Sequence, residues 1–144
     1  ECREDPVHLD RWIKTPEEIE YIASSQRAGA EAMGLVIETL RASEIREELL
    51  YHDGEVVTSE RLRVMAQKLL LDRSCQAEDI IIAAGDQCCD PHNRGTGPIP
   101  ANQTIIIDIF PQSAETRYWV TQGLKSVPES EPRRRGRAQF LDTW

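Results

Sequence analysis

The chain has 144 residues, a formal net charge of −8 and 29% charged residues, enough for one domain with a modest core. The acidic balance argues against nucleic acid as a partner of the main body, and no apolar run is long enough to span a bilayer. The charge is uneven: residues 1–119 hold 12 Lys/Arg against 22 Asp/Glu, whereas residues 120–144 hold 5 against 3, which marks the last segment as different in origin or role.

Residues 1–13 are expected to be a linker. Asp5-Pro6 discourages helix there, and nothing is periodic. The N-terminus is charged and unlike a signal peptide, and it opens on Glu1 rather than Met, so the chain is expected to be a piece of a longer reading frame. Cys2, Cys75, Cys88 and Cys89 form no zinc spacing. Reduced thiols in a cytoplasmic protein are the expectation.

Thr15 predicts the start of a helix. It suits the cap, Pro16 suits the first helical position, and Glu18 completes a capping box. Ile19, Ile22, Gly29, Ala30, Met33, Val36, Ile37 and Leu40 then recur at helical spacing, which predicts about seven amphipathic turns ending near Ala42. A weaker helical stretch is expected over Ser43–Val57, with a turn at Asp53-Gly54. Thr58 or Ser59 caps a second long helix with Leu62, Met65, Ala66, Leu69 and Leu70 on its buried stripe.

Beyond Ser74 the period changes from helical to extended. Asp79–Ala84 and Thr104–Phe110 are short Ile-rich runs bounded by Gly, Asp, Pro and Asn. Pro111–Glu115 predicts a turn, and Thr116–Val120 the returning strand of a hairpin. Two helices on one face of a mostly antiparallel sheet make an α+β arrangement.

The chemistry concentrates in two places. A polar loop, Asp90-Pro91-His92-Asn93-Arg94-Gly95-Thr96-Gly97-Pro98, carries one histidine. The strand Thr104-Ile105-Ile106-Ile107-Asp108-Ile109-Phe110 carries one carboxylate among apolar residues. A carboxylate on a buried strand is costly unless a cation or donors compensate it. Asp108 is therefore either a metal ligand or an Asp satisfied by neighbouring backbone donors.

Lys14-Thr15-Pro16-Glu17-Glu18-Ile19, Thr58-Ser59-Glu60-Arg61-Leu62-Arg63, Ala77-Glu78-Asp79-Ile80-Ile81-Ile82-Ala83, Asp90-Pro91-His92 and Ile105-Ile106-Ile107-Asp108-Ile109-Phe110-Pro111 stand in an order that resembles the Xaa-Pro aminopeptidase-like metallopeptidases. These belong to the pita-bread family (M24), with prolidases, methionine aminopeptidases and creatinases. The resemblance runs from about Ile13 to Trp119. It implies the first half of a pita-bread catalytic domain over residues 14–120, two long helices on a mostly antiparallel sheet. It also implies metal-dependent hydrolysis of the bond after an N-terminal residue preceding proline, and a peptide substrate. The cofactor implied is a pair of divalent metals (manganese, cobalt or zinc) held by two Asp, one His and two Glu, which activates a bridging water and polarises the scissile carbonyl. Within that pattern Asp108 matches the first metal-binding aspartate, and His92 matches a loop histidine that contacts substrate.

The pattern then breaks. Where the family has a second Asp and then Met/Leu-Thr-Arg-Thr, this chain has Thr121-Gln122-Gly123-Leu124-Lys125-Ser126. Thr121 stands at the position of the second aspartate, and a neutral hydroxyl substitutes poorly for a bridging carboxylate. The His and both Glu belong to a second half that this sequence does not resemble. Residues 121–144, with Arg133-Arg134-Arg135-Gly136-Arg137, are expected to be a divergent, poorly ordered basic tail arising from a frameshift or a truncated gene model. The expected function is a truncated or degenerate Xaa-Pro aminopeptidase-like protein, inactive as it stands and not holding the metal pair stably. The alternative is a non-catalytic pita-bread interaction module. A homodimer, or a second polypeptide carrying the missing half, are the partners such a fragment would have.

Overall fold

A computed structural model describes residues 12–126. Helix α1 spans Pro16–Ala42, with Thr15 as its cap: the Thr15 hydroxyl accepts from the Glu18 amide at 3.2 Å, and Glu18 accepts from the Thr15 amide at 2.8 Å. This reciprocal box satisfies two otherwise orphaned donors and sets the helix start. The buried face is Ser25, Ala28, Gly29, Ala32, Met33, Val36, Thr39 and Leu40. It is narrower at its start than the periodicity suggests, because Ile19 is 56% exposed. Small residues in its middle let α1 approach its neighbours closely.

Residues 43–57 differ from the helical expectation. They form a three-stranded antiparallel meander, β1 (Glu44–Arg46), β2 (Leu49–His52) and β3 (Glu55–Val56). Both turns have two residues at positive φ, Glu47 and Glu48 in the first, Asp53 and Gly54 in the second, which matches the twist of paired strands. Leu50 is 3% exposed and belongs to the core. That burial overrides the helix-favouring composition around it.

Helix α2 (Ser59–Asp72) is capped by Thr58, whose hydroxyl accepts from the Arg61 amide at 3.2 Å. Its face of Leu62, Ala66 and Leu70 is buried, with Met65 and Leu69 packed beside it. The two helices pack on each other and on the strands. Leu40, Leu62, Leu70, Ile80, Ile82, Ile107 and Ile109 fill the space between them.

The remaining strands are β4 (Cys75–Gln76), β5 (Ile81–Ala84), β6 (Ile105–Ile109), β7 (Gln112–Ser113) and β8 (Gln122–Ser126). They form a two-stranded pair β4-β7 and a three-stranded sheet ordered β5-β6-β8. Every strand pairing among the described residues is antiparallel.

The returning strand falls later than Thr116–Val120. The main partner of β6 is Gln122–Ser126, from Ile109 opposite Gln122 to Ile105 opposite Ser126. Only Trp119 of the expected segment makes a bridge, to Gln112, and the Val120 amide donates to the Pro111 carbonyl at 3.1 Å. Five residues of the expected tail are therefore sheet. The rest of it, with the Arg133–Arg137 run, lies outside the described residues, as does the linker up to residue 11. Among the described residues, no helix is long and apolar enough to cross a membrane.

Candidate metal and substrate face

Strand β6 alternates as its sequence dictates. Ile105, Ile107 and Ile109 are buried on the core face, while Ile106 and Asp108 point to the opposite face and are half-buried. Asp108 lies between Ile81 on β5 and Gly123 on β8. Its Oδ1 atom is buried and has no hydrogen-bond partner among the described residues. Burial pushes the Asp108 carboxyl above the usual carboxylate range, with the Ile109 amide acting in the opposite direction. Of the two readings open for Asp108, satisfaction by neighbouring donors is the one this geometry does not supply for Oδ1.

The register also places Thr121. The pairs Ile109 with Gln122 and Gln112 with Trp119 belong to one antiparallel register, so Phe110 stands opposite Thr121. Opposed residues share a face and alternate residues return to it. Asp108, Gly123, Phe110, Thr121, Gln112 and Trp119 therefore share one face, away from the isoleucine core. Thr121 and Trp119 are exposed there.

His92 sits on the loop along the outer edge of β5. Its side chain is exposed, and its amide donates to Asp90 Oδ1 at 2.9 Å. The Arg94 carbonyl accepts from the Ile82 amide at 3.1 Å, while β6 pairs with the other edge of β5. Among the described residues no hydrogen bond or ion pair joins His92 to Asp108.

The loop is held by residues that sequence reasoning missed. Both Glu60 carboxylate oxygens accept from the Gly97 amide, at 3.0 and 3.1 Å. Arg63 donates to the Arg94 and Gly95 carbonyls at 2.5 and 2.6 Å. Gln87 bonds both the amide and the carbonyl of Thr96. The Thr58–Arg63 segment was visible as a motif, but its i, i+3 charge pair has the pattern of an ordinary solvated helix face.

Among the described residues the donors on this face do not make up the ligand set of a metal pair. Asp108 is one carboxylate, Thr121 is neutral and Gly123 contributes no side chain. Among the described residues no group of three or more His, Cys, Asp or Glu could hold a metal ion. Cys75 and Cys89 are free thiols, and burial raises the pKa of Cys75.

No protein-family profile matches the chain, and no curated protein matches it. Solved structures do. X-Pro aminopeptidase from Thermotoga maritima MSB8 aligns over 88% of this chain at 18% identity with a TM-score of 0.65. The prolidase from Pyrococcus horikoshii OT3 aligns over 84% at 20% identity with a TM-score of 0.66. Pseudomonas aeruginosa aminopeptidase PepP aligns over 88% at 16% identity with a TM-score of 0.62. The matches cover 32%, 31% and 27% of those chains, so this chain spans about a third of their length or less. The fold is part of a pita-bread fold, α+β with two helices on antiparallel sheets.

Proposed function

We propose that the chain is a truncated or degenerate Xaa-Pro aminopeptidase-like member of the pita-bread metallopeptidases, and that these 144 residues alone are not a working peptidase. One observation carries the reading: a half-buried Asp on the central strand of this fold has an unpartnered oxygen, in the place where the resemblance puts a metal ligand. Asp108 would be that ligand and His92 a substrate contact. The neutral Thr121 beside Asp108 supports inactivity, because one carboxylate is too few for two divalent ions. The free thiols of Cys75 and Cys89 support a cytoplasmic location, and the acidic balance speaks against nucleic acid.

Incubating the purified chain with excess manganese and an Xaa-Pro peptide tests the proposal. No hydrolysis above the metal-only blank is expected. Turnover that disappears in Asp108→Ala would overturn it.

A non-catalytic interaction module is favoured by a different observation. Ile13, Ile19 and Trp119 are 84%, 56% and 66% exposed, and the 2.7 Å bond from Tyr118 to Glu18 draws the Trp119 turn toward the start of α1. An apolar surface at that end would suit a protein partner.

A further inference from the structure

We propose that β8 is a self-association edge: two copies of this chain pair their β8 strands antiparallel about a twofold axis at Leu124, and Lys125 of each copy compensates Asp108 of the other. Nothing in this pairing requires the metallopeptidase reading.

The two edges of the β5-β6-β8 sheet are unequal. On the β5 side the Ile82 amide donates to the Arg94 carbonyl at 3.1 Å, so the His92 loop closes that edge. On the other side β8 pairs with β6 alone among the described residues, which leaves a row of its amides and carbonyls to bond a further strand. An antiparallel edge complements a copy of itself about a twofold axis. An axis at Leu124 sets Leu124 opposite Leu124, Gly123 opposite Lys125 and Gln122 opposite Ser126. An axis at Lys125 would instead set two lysines against each other, which is unfavourable.

Asp108 favours the Leu124 register. It opposes Gly123, and a Cβ on Gly123 would lie 3.5 Å from Asp108 Oδ1. The carboxyl therefore leans toward a strand position that has no side chain, and Gly123 is exposed. A glycine inside a strand suits close approach by another chain. Directly opposed Cα atoms lie about 4.5–5.5 Å apart, so Lys125 of the second copy would stand roughly 10 Å from Asp108, on the same face, with only Gly123 between. A lysine's four-carbon stem covers most of such a gap. The buried Oδ1, which has no hydrogen-bond partner among the described residues, thereby gains a cation, twice in each dimer.

Sedimentation equilibrium of the 144-residue chain over a concentration series tests this, with Lys125→Arg, Lys125→Gln, Asp108→Asn and the Gln and Asn changes combined. Circular dichroism checks that each variant folds. A monomer–dimer equilibrium is expected, kept by Lys125→Arg and weakened at least about tenfold by Lys125→Gln and by Asp108→Asn. The combined variant should be no weaker than the weaker single one, because either change removes the same pair. If Asp108→Asn fails to fold, the contrast between Lys125→Arg and Lys125→Gln carries the test. A chain that stays monomeric at every concentration would overturn the proposal. So would a dimer indifferent to Lys125, or losses at the two positions that simply add.

Discussion

Gly95→Ala is expected to destabilise the protein more than any other glycine substitution in the described residues, by more than about 3 kcal/mol. Two costs add. Gly95 has φ +81°, a conformation that L side chains rarely adopt. A Cβ at Gly95 would also stand 1.8 Å from the Ile82 carbonyl oxygen and 2.9 Å from Ala83 Cα. Both obstacles are backbone on β5, so no side chain can swing aside. The loop must lift off β5, breaking the Ile82 to Arg94 bond and the Arg63 contacts. Gly97→Ala is the control: its φ is +74° but nothing lies within 4 Å, so only strain of about 1 kcal/mol remains. Urea unfolding of the two variants checks this, and equal losses would show that close approach to β5 is not what selects Gly95.

Ending the chain at Val120 is expected to cost several kcal/mol or abolish folding, whereas ending it at Ser126 should preserve the described structure. The shorter form removes β8 and strips five consecutive pairings from β6. Strand β6 carries Ile105, Ile107 and Ile109, all buried, and would become an open apolar edge. Thermal melts of the two forms measure the difference. Coincident melts would mean that β8 contributes nothing, and would restore a boundary at residue 120.

The helices were legible because their signals are local. Thr15-Pro16-Glu17-Glu18 specifies a start by hydrogen bonds within four residues, and Thr58 does the same for α2. The Ile-rich strands were legible because they need burial on one face. The β1–β3 meander was not, since Glu47 and Glu48 adopt positive φ without the Gly or Asn that announces such turns, and the Leu50 burial that holds it is tertiary. β8 was missed for the opposite reason. Its polar composition resembles a tail, while its place is set by backbone pairing to β6, which is indifferent to side-chain identity. Asp108 stood out as a charge in an apolar run. Glu60, Arg63 and Gln87 did not, because their partners are backbone groups about ten to forty residues away.

The account holds that Asp108 is a single carboxyl whose Oδ1 has no partner among the described residues, on a face that does not hold a metal pair. Comparing the stability of the unaltered chain and Asp108→Asn across pH, with and without manganese, tests this most directly. The native carboxyl is raised above its unfolded value near ~4. The native state therefore holds its proton more tightly, and the associated stability is present at low pH and lost as pH rises through the native pKa. Asn carries no proton to lose, so the difference in favour of Asp108→Asn should grow with pH, and manganese should stabilise neither form. A chain that manganese stabilises by binding its native state, with that gain abolished by Asp108→Asn, would contradict the account.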